Sequence, residues 1–160
     1  MTDQEFLQRI EQCAEEIAKS AGRVMPIKAG RIAKDHFQNN FLLSGFVNDG
    51  LHEWTPSKRL GEKDEKGNTV TKATNGVKGK YKTLMSGRNH LYNSIEYRLD
   101  DSGVVIENRV PYAAVHNDGL KAGRGKGFTM PQRQFIGESE ELTAQIEDMI
   151  EDELTKILKI

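Results

Sequence analysis

The chain has 160 residues, 36% hydrophobic and 29% charged, with a formal net charge of -1 and an isoelectric point near 6.4. This length predicts one domain with a real hydrophobic core, and this composition excludes a chain disordered by composition. The near-neutral balance supplies no global attraction to nucleic acid or to a membrane.

The opening MTDQEFLQRI lacks the basic start and apolar run of a signal peptide, and no apolar stretch reaches the roughly 18–20 residues that span a bilayer. Both point to a cytosol-like compartment. Residues 3–21 read as an amphipathic helix with Phe6, Ile10, Cys13 and Ile17 in one stripe. Asp3 is the expected N-cap and Gly22 the expected stop, and Met25-Pro26 is expected to break the chain. Cys13 is the single cysteine, so no internal disulfide forms, and its place in the stripe predicts a small buried hydrophobe. A second helix is expected over residues 27–43, with Ile32, Ala33, Phe37, Phe41 and Leu42 near one face and Gly45 as terminator.

Residues 46–80 are punctuated by Gly50, Pro56, Gly61, Gly67, Gly76 and Gly79. Between positions 58 and 88 nine Lys or Arg stand against three Asp or Glu, a net of +6. This predicts a long, flexible, basic loop with a short hairpin near Val70-Thr71. Its cations include Lys58, Arg59, Lys78, Lys80 and Lys82, with Trp54 and Tyr81 as flanking aromatics. Three roles are open to it: a solvated loop, a contact between subunits, or a contact to DNA phosphates.

Regular structure resumes with a helical turn over 88–93. Ile95, Tyr97 and Leu99 then alternate with polar residues, Asp100-Asp101-Ser102-Gly103 turns, and Val104, Ile106 and Asn108 alternate again. This is a β-hairpin pattern with one buried face. Residues 111–118 predict a short helix with Pro111 at its start and Gly119 at its end. A flexible basic loop over 121–127 carries Lys121, Arg124 and Lys126, and a strand is expected at 128–130. The last helix, 138–158, has the apolar stripe Leu142, Ile146, Met149, Ile150, Leu154, Ile157 and Leu158, with Ser139 as cap. Residues 138–160 hold eight acidic and two basic residues, a net of -6.

The expected architecture is a single α+β domain. It has two N-terminal helices over 1–45, a flexible basic loop over 46–83, and a small antiparallel sheet with a C-terminal helix packed on it over 84–160.

Reaction chemistry finds little support. His36, His52, His90 and His116 include no i, i+4 pair, and no cysteine framework exists, so no metal site is predicted. His116 reads as a hydrogen-bonded structural group. The 121–127 stretch places Gly127 after Lys126, where a phosphate-binding loop needs Ser or Thr, and it leads to Pro131, not to a helix. Ser86 and Ser94 lack a histidine-acid arrangement. No cofactor and no small-molecule substrate are predicted. A nuclease or peptidase would need a convergent polar cluster, which the spacing does not show.

Three blocks give the chain a likeness. Residues 84–95 carry Gly87, Leu91 and Ser94-Ile95; residues 110–119 carry Tyr112, Ala113, His116 and Gly119; residues 130–137 carry Pro131, Arg133 and Phe135. Trp54 and Pro56 precede them. In this order, ahead of an acidic helix, the blocks resemble the phage virion-morphogenesis or tail-completion proteins of Mu-like and related contractile-tailed phages and prophages. Gln134 stands where that family often has Pro, and Ile136 where it often has Leu.

The blocks suit a fixed scaffold. Tyr112 and His116 share a helix face, Gly119 allows a left-handed exit, Phe135 anchors in the core, and the Arg133 fork suits a carboxylate. The resemblance implies a non-enzymatic role in tail completion or head-tail joining. Such a protein would assemble in the host cytoplasm and reside in the virion tail or neck. Its partners would be copies of itself in a ring and other tail or head-connector proteins, with no membrane. The +6 loop and the -6 helix suit a head-to-tail contact. The alternative is a neck protein that touches DNA through the basic loop.

Overall fold

A computed structural model describes residues 1–60, 62–63, 69–70 and 81–159. The N-terminal part is one long helix rather than two. α1 (Asp3–Lys19) opens with a capping box, in which Thr2 accepts from the Glu5 N–H and the Glu5 carboxylate accepts from the Thr2 N–H. The cap is therefore Thr2, not Asp3. A π-helical turn over Ser20–Val24 leads directly into α2 (Met25–Leu43).

The break expected at Met25-Pro26 does not occur. Proline in a regular helix lacks a needed N–H and pushes its ring against the carbonyl four residues back. Here the Met25 N–H reaches the Ser20 carbonyl five residues back, which widens the turn, and Pro26 falls in the first turn of α2, where no N–H is required. Met25 keeps helical angles and Gly22 lies inside the wide turn, so neither stops the helix. α2 ends at Ser44, in the left-handed conformation, one residue before the expected Gly45.

Four separate two-stranded antiparallel ladders follow among the described residues. β1 (Gly45–Val47) pairs with β2 (Leu51–Glu53), so the stretch expected as loop from residue 46 opens with a hairpin. A 3-10 turn spans Lys58–Leu60, and β3 (Glu62–Lys63) pairs with β4 (Thr69–Val70). After α3 (His90–Asn93), β5 (Ile95–Asp100) pairs with β6 (Gly103–Asn108), and Asp101 and Ser102 form the turn that the sequence predicts. α4 (Ala113–Asp118), β7 (Lys121–Ala122), β8 (Phe128–Thr129) and α5 (Glu140–Leu158) complete the α+β fold. Thr71 lies outside the described residues.

The core centres on Phe41, which is fully buried. Its ring meets Trp54 at 5.6 Å, Tyr92 at 6.0 Å and Phe135 at 5.0 Å. The C-terminal helix was expected to cover the hairpin, but the element lying along β5 and β6 is α2, and α5 packs chiefly on α2 with a lesser contact to α1. The small residues Ala29, Gly30 and Ala33 on the buried face of α2 permit this close approach. A Cβ on Gly30 would come within 2.3 Å of the Tyr97 ring. Leu42, expected on the inner face, is exposed, and Asn40 is buried instead. Only the Ile95 end of the hairpin is fully buried, and Leu99 near its tip is exposed. An ion pair between Lys28 and Glu153 ties α2 to α5.

Gly30→Ala therefore overpacks the α2–β5 contact and costs about 1–3 kcal/mol in urea unfolding. A double-mutant cycle with Tyr97→Leu shows coupling between the two sites. Strictly additive losses would mean the added methyl meets something other than Tyr97.

Candidate functional site

The segment from Arg133 to Ile136 runs between β8 and α5 without a strand partner. Its main-chain groups are bonded individually by other parts of the chain. The Arg133 N–H donates to the His116 carbonyl at 2.8 Å. The Phe135 and Ile136 N–H groups both donate to Asn117 Oδ1, at 2.9 and 3.0 Å. The Gln134 carbonyl accepts from Trp54 Nε1 at 2.8 Å, and the Phe135 carbonyl accepts from Asn40 Nδ2 at 3.1 Å. Asn40 also accepts from the Val47 N–H at 3.2 Å, which ties β1 to the same point.

Arg133 itself is buried, at 6% exposure. The fork that suits a carboxylate works in part on two carbonyls: Nε donates to Thr55 at 2.7 Å and an Nη to Pro56 at 3.3 Å. Charge-assisted bonds of this kind hold the 54–56 stretch firmly against the 133–136 segment.

Beside this junction Ser57, His90, Tyr112, His116 and Arg133 help to line a cavity of 220 Å³. His90 Nδ1 and the Tyr112 hydroxyl share a hydrogen bond of 2.8 Å. The His116 ring is not the hydrogen-bonded group the sequence suggests. Its Nδ1 is buried with no partner among the described residues, as is Ser57 Oγ, and the residue contributes its carbonyl instead. Burial, and then the Arg133 charge, holds the imidazole below its ordinary pKa. Among the described lining residues there is no carboxylate to orient a histidine base. No group of three or more His, Cys, Asp or Glu among the described residues could hold a metal ion.

The blocks that carry the likeness are thus parts of one junction. A family model for phage virion morphogenesis proteins matches residues 7–155. The chain belongs to the phage virion morphogenesis family. It is 31% identical over 70 residues to the Mu-like prophage FluMu G protein 2 of Haemophilus influenzae (strain ATCC 51907 / DSM 11121 / KW20 / Rd). That match covers 44% of this chain and 51% of the relative, so it spans about half the length of each. No solved structure matches. The family is one of structural virion assembly, and among the described residues no helix is long and apolar enough to cross a membrane.

The other motif residues surround this junction. Trp54, Leu91, Ile95, Ala113 and Phe135 are core residues. Ser94 ends α3, its N–H directed at the His90 and Leu91 carbonyls. A Cβ on Gly87 would lie 3.3 Å from the Tyr81 hydroxyl. Gly119 ends α4 at φ 67°, and a Cβ added there would lie 3.0 Å from Gln132 Cβ, so a side chain is disfavoured by the backbone angle and crowded as well. Pro56, Tyr112 and Pro131 are exposed.

The candidate contact cations separate. Lys58 is exposed on the 3-10 turn, which Arg59 shares. Lys82 donates to the Leu42 carbonyl at 2.5 Å. Lys78 and Lys80 lie outside the described residues. Lys121, Arg124 and Lys126 are exposed on the β7–β8 hairpin, an ordered element where a flexible loop was expected. Trp54 is 6% exposed, so its indole is not available to stack on a base.

Sequence reasoning missed Asn40 and Asn117. Asn40 had a detectable signal, since a polar residue in register with Ala33, Phe37 and Phe41 must be satisfied inside. Asn117 had none beyond its place on a short helix.

Asn117→Ala strips one acceptor from two N–H groups and costs about 2–4 kcal/mol. The Asn117 amide also donates to Asp118 at 2.8 Å, so the comparison is made with Asp118→Ala in place: there Asn117→Asp keeps the acceptor and costs clearly less than Asn117→Ala in the same urea melts, and equal losses would sink this role. Burial also lowers the pKa of His36, as it does that of His116. Each binds its proton more readily in the unfolded chain, so stability falls as pH drops below the ordinary value of 6.5 toward the lower folded pKa. In thermal melts above and below that pH, His116→Gln loses less Tm on acidification than the unsubstituted chain. An unchanged slope would show that His116 does not contribute.

Proposed function

We propose that the chain is a non-enzymatic subunit that completes the tail or joins it to the head. In this reading it assembles in the host cytoplasm, forms a ring with copies of itself, contacts other tail or head-connector proteins, and remains in the virion tail or neck. The observation that carries the reading is the family match over residues 7–155. A relative named as a Mu-like prophage protein supports it, although the match covers only part of that protein.

Charge and geometry add support. The motif residues are spent largely on an internal junction, as a scaffold requires. The outer surfaces differ in sign: seven carboxylates and one lysine on α5, against Lys121, Arg124 and Lys126 on the β7–β8 hairpin. Unlike surfaces on one subunit are what a closed head-to-tail ring needs.

Deleting the gene from an inducible prophage tests the role by electron microscopy of the lysate. The expected result is heads and tails that remain unjoined, rescued by the wild-type chain in trans and not by Arg133→Ala. Joined, infectious particles without the chain would overturn the proposal. A steep salt dependence of DNA binding by the purified chain would favour the neck protein that touches DNA.

A further inference from the structure

α1 carries an apolar face that its own chain leaves open. None of its residues is buried, and Phe6, Leu7 and Ile10 are 52%, 59% and 49% exposed. Phe6, Arg9, Ile10, Cys13, Ile17 and Leu158 help to line an open groove of 420 Å³ between α1 and the end of α5, and Arg9 is the one charged side chain among the described lining residues. Contiguous apolar surface of this kind marks an interaction site. Both helices that form it are acidic. α1 has five carboxylates against two cations, and α5 has seven against one.

A second open apolar face lies on the β7–β8 hairpin. Ala122 pairs with Phe128, and the Met130 N–H donates to the Leu120 carbonyl at 3.0 Å. Alternation along the ladder puts Leu120, Ala122, Phe128 and Met130 on one side. Leu120 is 47% exposed and Phe128 56%. Every charge from position 120 to 130 is positive: Lys121, Arg124 and Lys126. The turn is preset by Gly123, Gly125 and Gly127, all at positive φ. A Cβ on Gly127 would strike the Ala122 carbonyl oxygen at 2.7 Å. A hairpin held this way loses little freedom on docking.

We infer that the apolar α1 groove of one copy, carried on two helices of net negative charge, receives the basic β7–β8 hairpin of the next copy, with Phe128 foremost. This rests on the ring reading and names the contact that builds the ring. Groove against groove would set acid on acid, and hairpin against hairpin would set base on base. Only the mixed pairing joins apolar to apolar and opposite to opposite charge. Because its two surfaces are different, it repeats from copy to copy in one direction, as a closed ring demands.

The single cysteine, Cys13, already sits in the groove, so Phe128→Cys supplies the second half of a cross-link. The full-length chain is examined in assembled particles and with its tail proteins present. Mild oxidation of the Phe128→Cys chain gives a ladder of disulfide-linked multimers, with Cys13 joined to position 128 by peptide mass spectrometry. The wild-type chain gives no ladder. Phe128→Asp and Ile10→Asp, both at exposed positions, keep the wild-type circular dichroism and melting temperature and weaken self-association about tenfold or more.

A Cys13–Cys13 dimer as the main wild-type product overturns this contact. So do closed rings in native mass spectrometry without the 13-to-128 link, although they leave the ring reading standing. A chain that stays monomeric in particle extracts and with its tail proteins overturns both.

Discussion

The structure depends on satisfying the backbone of residues 133–136, a segment that belongs to no sheet and buries Arg133 and Phe135. Main-chain polar groups away from water must be paired, and each left unpaired costs about 1–3 kcal/mol. A strand would meet this demand with one neighbour. Here it is met by Asn117 and His116 from α4, Trp54 from the stretch after β2, and Asn40 from α2. Phe135 fills the space beside Phe41 that these bonds enclose. The segment therefore forms only when all three regions are in place, and it couples their folding. Trp54 and the 110–119 block thus each supply a partner that the 130–137 block needs.

This also explains what could be read in advance. α5, the β5–β6 hairpin and α4 with its Gly119 exit rest on periodicity and turn chemistry within a few residues, and they form where the local pattern puts them. The continuous N-terminal helix was not legible, because Met25-Pro26 looks like a break until a wide turn absorbs it. The burial of Asn40 is legible from its place on the apolar face of α2, but the bonds that Asn40 and Asn117 make to the 133–136 segment are not. Their partners lie 95, 18 and 19 positions away, and nothing local announces such a pairing. An amphipathic pattern tells which face of a helix is buried but not against what. The covering role therefore went to α5, when the small side chains of α2 were the clue.

The same contrast separates scaffold from surface. The motif residues chiefly meet one another, and Arg133, the most chemically conspicuous of them, is spent on carbonyls of the 54–56 stretch. Trp54, which flanks the basic loop in sequence, belongs to the core. What the molecule offers outward is plainer: apolar residues on α1, carboxylates along α1 and α5, and cations with Phe128 on a short hairpin. The α1 stripe shows in the sequence as helical periodicity, whereas the cations and Phe128 of the hairpin carry no local signature beyond composition.

The two layers are joined at the base of the hairpin. The Leu120 N–H donates to Val115, the Met130 N–H to Leu120, and the Arg133 N–H to His116, at 3.1, 3.0 and 2.8 Å. The hairpin is thus tied to α4 at the same place where α4 holds the 133–136 segment. A load on Phe128 passes through these bonds to Asn117, Phe135 and the core, without a loop to absorb it. For a subunit of an assembly this matters more than affinity at any one contact. In the proposed ring a rigid base would fix the angle between successive subunits, and that angle would decide whether a head-to-tail series closes or runs on as a filament.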